Sequence, residues 1–136
     1  MSDTRMQIGT ETRPQSQMEL TIRRQPDDLR RLMTEGWEQA EQAVDLIGTA
    51  SRIILTGIGT SFHAALVGAW LLRAAGMDAR AVSSFDFARY PDLYPLVADD
   101  AVVVFAHTGV KRFSGDALSV AAATDAPLLL GGLPLA

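Results

Sequence analysis

Residues Gly57, Ile58, Gly59, Thr60, Ser61, Phe62 and His63 put two glycines, two hydroxyls and an imidazole within one short stretch. Glycine lets a backbone approach a ligand closely, and hydroxyls beside the free amides of a helix start favour negative charge. The stretch is flanked by a β-branched apolar run at 52–56 and by a segment at 61–75 that is apolar on nearly every side. A strand, a glycine turn and a helix opening on Ser61 make a ready anion site. A phosphorylated small molecule is the first ligand to expect. A second polar cluster, with Ala106, His107, Thr108, Gly109, Lys111 and Arg112, follows the apolar run 101–105.

Each of these residues also has a plainer reading. Gly57 and Gly59 fit a tight strand-to-helix turn with no ligand. Ser61 suits an N-cap, a role compatible with binding phosphate. His63 opens a buried helix, where packing is the stronger expectation. His107 fits substrate hydrogen bonding and structural support equally. Lys111 is either a cation that contacts the anion or a solvated surface residue. Asp86 fits an acid or base at the mouth of the sheet, or a turn residue. Trp37 and Trp70 occupy helical apolar positions and read as core.

The elements that must position these groups follow from periodicity. Apolar residues at Leu29, Leu32, Met33, Trp37, Ala40, Val44 and Ile47 predict one long helix over about 27–48, with Pro26 and two aspartates at its start and Gly48 at its end. Strands are expected at 52–56, 79–83, 101–105 and 126–130, and helices at 61–75 and after Ser114, read as an N-cap. Residues 84–95 read as a loop or short irregular helix. Alternating strands and helices predict an α/β fold, a three-layer doubly wound parallel sheet of order 2-1-3-4 preceded by a long N-terminal helix. That order brings the turns after the first and third strands side by side at the carboxyl edge, where open sheets bind ligands.

At 136 residues the chain has the length of one domain. Residues 1–17 read as a disordered tail without the apolar core of a signal peptide, and 18–136 as the domain. A net charge of −4 gives no basic footprint for nucleic acid, and without cysteine there is no thiolate chemistry. No run is apolar enough for a membrane span, so the expected location is cytoplasmic. A dinucleotide fingerprint fails because Phe62 holds its third glycine position and Val82, Ser83 and Ser84 stand where an acidic residue belongs. Two separated histidines give no metal site. We expect no cofactor.

Four pieces in order resemble the sugar isomerase (SIS) domain, the phosphosugar-binding module of the isomerase half of glucosamine-6-phosphate synthase and related proteins. Met18, Glu19, Gln25 and Pro26 resemble the family's entry into its first helix. Gly57, Gly59, Thr60 and Ser61 resemble its glycine–threonine–serine turn. Residues 84–90 resemble the segment after its second strand, and 105–109 its second phosphate loop. By position, the resemblance implies that Gly59, Thr60 and Ser61 hold the sugar phosphate from one side and His107, Thr108 and Gly109 from the other. Ala106 departs from the family's first loop serine, and Lys111 stands where many members have threonine.

The resemblance implies binding of a phosphorylated sugar or amino sugar by one module of an isomerase- or aminotransferase-like protein. The alternative is a phosphosugar sensor or regulator without catalysis. Isomerisation needs a base to move a proton between adjacent carbons. In the synthase family that base comes from a second SIS repeat and a C-terminal tail. We therefore expect no turnover from this chain alone, a domain incomplete at its C-terminus, and a homodimer or pairing with a second SIS domain. Regulators with this domain usually carry a helix-turn-helix, whereas the first 50 residues read as one long helix.

Overall fold

The structure, a computed structural model, describes residues 14–107 and 112–131 and forms two units, Met1–Gln39 and Ala40–Ala136. Within the first unit lies helix α1, Gln17–Glu35. It starts ten residues before the predicted position because Ser16 and Glu19 form a capping box. The Ser16 hydroxyl accepts from the Glu19 amide at 3.2 Å, and the Glu19 carboxylate accepts from the Ser16 amide at 3.0 Å. Pro26 sits inside the helix instead of opening it. The aspartates read as a helix start pair with arginines along the same surface, Asp28 with Arg24 and Asp27 with Arg30.

The single long N-terminal helix is therefore a correction. Gly36 ends α1, and a separate helix, α2, spans Trp37–Ile47.

The second unit is a four-stranded parallel sheet of order β2-β1-β3-β4, as the alternating pattern predicts. Its strands are β1 (Arg52–Gly57), β2 (Ala79–Ser83), β3 (Asp100–Phe105) and β4 (Leu128–Gly131). Helices α3 (Thr60–Ala74), α4 (Ser84–Arg89) and α5 (Arg112–Ala122) connect them, with a 3-10 turn at Pro91–Leu93. β4 begins two residues later than expected, and α5 starts before Ser114, which is buried inside the helix and does not cap it.

Alternation along the strands splits the core in two. Ile54, Val82, Val102 and Val104 face Phe87 of α4 and Ala117 and Ala121 of α5. Ile53, Leu55, Ala79 and Ala101 face Ala65 and Ala69 of α3, with Ile47 and Ala50 packed alongside. Because both faces are covered, the central strands read as continuous apolar runs.

α3 meets the sheet through small residues. Ala65 and Ala69 are fully buried, and a Cβ on Gly68 would lie 2.8 Å from Leu55 Cδ2. Of its large residues, Phe62 and Leu72 are half-buried and pack against this core, whereas Leu66, Val67, Trp70 and Leu71 are exposed. The expectation of a helix buried all round, with Trp70 in the core, is thereby overturned. Apolar residues thus stand on both the inward and the outward face of this helix. Trp37 is likewise 67% exposed, and His63 is exposed instead of packed.

Candidate functional site

The site begins at the carboxyl end of β1. A Cβ on Gly57 would lie 2.5 Å from the carbonyl carbon and oxygen of Ser61 and 2.8 Å from the Phe62 amide nitrogen, so only glycine lets α3 start this close. Two residues on, Gly59 adopts φ 61° and ψ −129°, a backbone that L side chains avoid, with open space where a Cβ would stand. That reversal feeds the chain into α3.

Gly59, not Ser61, is the N-cap of α3. Its carbonyl accepts from the amides of Phe62 at 3.0 Å and His63 at 3.4 Å, and no side chain caps this end. Among the described residues, the amides of Thr60 and Ser61 have no backbone acceptor. An uncapped helix start with free amides carries partial positive charge.

The strand order places the end of β3 beside this turn. A cavity of about 260 Å³ opens there, lined by Thr60, Ser61 and Ala64 from α3, Phe105, Ala106 and His107 from the end of β3, and Gly131. The Ala106 amide donates to the Gly131 carbonyl at 2.9 Å, which holds the ends of β3 and β4 together beneath it. Thr60 and His107 are exposed and Ser61 is half-buried. None of the described lining residues carries a carboxylate. Hydroxyls, an imidazole and a helix start around a small open cavity suit a compact anion.

The structure thus brings Gly59, Thr60, Ser61 and His107 to one edge. Thr108, Gly109 and Lys111 lie outside the described residues. Asp86 is half-buried in the first turn of α4 and does not line the cavity. The sequence reading missed Ala64 and Gly131 as lining residues, because small side chains give no chemical signal. It also missed Thr56 and Ser84, both fully buried, whose hydroxyls lie 3.0 Å apart. A lone threonine closing the apolar run 52–56 was the available sign.

A second cavity, of about 300 Å³, lies toward the amino ends of β1 and β2, lined by Arg52, Arg80, Tyr94 and apolar neighbours. Its two guanidiniums are already engaged. Arg80 pairs with Asp78 at 2.9 Å, and Arg52 Nε donates to Asp100 at 3.0 Å. Burial pushes the Asp100 carboxyl up, but hydrogen bonds from Arg52 and the Val97 amide, with the Arg52 charge, outweigh it and hold the group below the usual carboxylate range. The hydrogen bond to Asp100 in turn raises Arg52. This larger cavity is braced by ion pairs, whereas the smaller one presents unpaired donors. We place the candidate site in the smaller.

Comparison with solved structures defines the class of fold. The chain is similar to the sugar isomerase domain of an RpiR transcription factor from Sphaerobacter thermophilus, with TM-score 0.67, 21% identity, and coverage of 84% of this chain and 66% of that one. It is similar to tagatose-6-phosphate ketose/aldose isomerase from Escherichia coli, with TM-score 0.65, 24% identity, and coverage of 84% and 33%. The fold of this chain is the fold of these sugar isomerase structures. Among curated proteins, it is 36% identical over 106 residues to the uncharacterized HTH-type transcriptional regulator YfhH of Escherichia coli K12, which covers 73% of this chain. The chain spans about a third (33%) of that relative's length. No protein-family model matches the chain.

Proposed function

We propose that this chain binds a phosphorylated sugar at the carboxyl edge of its sheet, as the ligand-sensing part of a regulatory protein. The observation that carries the binding is the convergence of Thr60, Ser61 and His107 around the uncapped start of α3. Free amides at a helix start are the recurring protein solution for phosphate. The resemblance of residues 57–61 to the sugar isomerase turn supports a sugar as the remainder of the ligand. Thr108, Gly109 and Lys111 complete the phosphate contacts in this reading.

The sensing role is supported by the 36% identity to a transcriptional regulator and by the fold shared with the RpiR domain. Ligand binding here would alter how the whole protein engages DNA, in the cytoplasm. A second reading, one module of an aldose–ketose isomerase or of a glucosamine-6-phosphate synthase-like enzyme, is favoured by the fold shared with the tagatose-6-phosphate isomerase. In that case a base from a second module or a second copy completes the site.

A thermal-shift screen with hexose, aminohexose and pentose phosphates tests the binding, because a ligand selective for the folded state raises stability by mass action. We expect at least one sugar phosphate to raise Tm while its unphosphorylated parent does not. An isomerase assay of the whole protein with the ligand that shifts Tm separates the two uses: no turnover supports the sensor, and turnover makes the chain an enzyme module.

A further inference from the structure

We infer that Thr56 and Ser84 are positioning residues for the 57–61 turn, an inference that rests on the phosphosugar reading for its ligand but not for its geometry. Both side chains are fully buried and their hydroxyls lie 3.0 Å apart, joining the end of β1 to the first residue of α4. Their surroundings are apolar: Ile54, Val82, Val104 and Phe87 form the core on this side of the sheet. Replacing both members of a buried hydrogen-bonded pair with apolar groups of the same shape is often nearly neutral for stability. Stability alone therefore gives little reason for two hydroxyls at this depth.

What the pair adds is direction. Apolar contacts tolerate sliding, whereas a hydrogen bond fixes two atoms in distance and angle. Thr56 is in register with Val82 of β2 and Val104 of β3, at the last position before Gly57. Gly57 in turn carries the start of α3 at a separation that leaves no room for a methyl group. A shift of the β1 end is thus passed directly to Ser61 and Phe62. Ser84 is anchored from the other side: Phe85, next in α4, packs edge-on against Phe113 of α5, with ring centroids 5.1 Å apart. The hydroxyl pair thereby ties the end of β1, which carries the start of α3, to the starts of α4 and α5.

The test compares Thr56→Val and Ser84→Ala, singly and together, with Thr56→Ser, which keeps the hydroxyl. Arg52→Met is the control, because it loosens the other end of the same strand by breaking the pair with Asp100. The first readout is amide hydrogen exchange at Phe62 and His63, whose hydrogen bonds to the Gly59 carbonyl report the turn without any ligand. The second is calorimetric affinity for inorganic phosphate and for glucosamine 6-phosphate, at a temperature where every variant is folded.

Thr56→Val and Ser84→Ala should each speed exchange at those two amides about tenfold and weaken affinity roughly five- to tenfold, with the double variant no worse than the singles. Thr56→Ser should keep wild-type exchange. Arg52→Met should lower Tm and leave exchange at Phe62 and His63 unchanged. Unchanged exchange in Thr56→Val, or an equal rise in Arg52→Met, would overturn the positioning role. If the amides respond as expected but the wild type binds neither probe, the pair's role stands and the phosphosugar reading falls.

Discussion

Ser61 lines the cavity and carries a hydroxyl and a backbone amide without a backbone acceptor, two donors that would hold a phosphate in the proposed reading. Ser61→Ala should weaken sugar phosphate binding by about 1–2 kcal/mol with little change in Tm, since the side chain is only half-buried. Lys111→Ala tests the second turn by calorimetry. A charge-assisted contact is worth roughly 1.5–3 kcal/mol, so tenfold or more should be lost, with affinity of the wild type falling as salt rises. Gly57→Ala should be harsher than either, because its methyl group would meet Ser61 backbone atoms at 2.5 Å. We expect about 1–3 kcal/mol of lost stability and loss of measurable binding, read by denaturant unfolding and calorimetry. A different residue sets the acid response. Asp100 is held below the usual carboxylate range, so the folded state binds its proton less readily than the unfolded chain. Its contribution is present above the unfolded value of about 4 and is lost as pH falls through the lower folded value. Asp100→Asn should therefore cost about 2–3 kcal/mol at pH 7, less than a fully buried pair because Arg52 is partly exposed, and the gap to wild type should close below about pH 4.

The elements were legible to different degrees. β1 and β3 stand out because strands covered on both faces are written as unbroken apolar runs, and the order 2-1-3-4 follows from right-handed crossovers. Convergence of 57–61 with His107 was legible for the same reason, since the switch point places those turns together. α1 was misjudged because Pro26, Asp27 and Asp28 imitate a helix start, while the true signal, Ser16 followed by Glu19, lies ten residues earlier. The exposed face of α3 is not legible from periodicity because Leu66, Val67, Trp70 and Leu71 are as apolar as the inward Phe62, Ala65, Ala69 and Leu72. The Thr56–Ser84 bond spans 28 residues and becomes visible only once β1 and β2 are paired. At this scale Phe87 is the anchor of α4: fully buried among Ile54, Val82 and Val104. Phe87→Ala should cost about 3–5 kcal/mol in chemical denaturation, and a loss under 1 kcal/mol would show that α4 is not needed to cover that face.

For the molecule as a whole, the exposed apolar residues of α3 and the place of β2 at one edge of the sheet lead us to expect self-association. Sedimentation velocity at micromolar concentration should show species larger than a monomer, and a clean monomer would contradict this. No helix among the described residues is long and apolar enough to cross a membrane. The fold is shared by isomerases and by the domain of a transcription factor, so fold alone does not choose between turnover and sensing. Binding of a phosphorylated sugar is common to both proposed uses. The most direct measurement is isothermal titration of the wild-type chain with glucosamine 6-phosphate, fructose 6-phosphate and inorganic phosphate, singly and in competition. We expect saturable heat for at least one sugar phosphate, displacement by excess inorganic phosphate, and weakened binding in Ser61→Ala. Absence of heat from all three at millimolar concentration, or binding that phosphate does not displace and Ser61→Ala does not change, would contradict this reading.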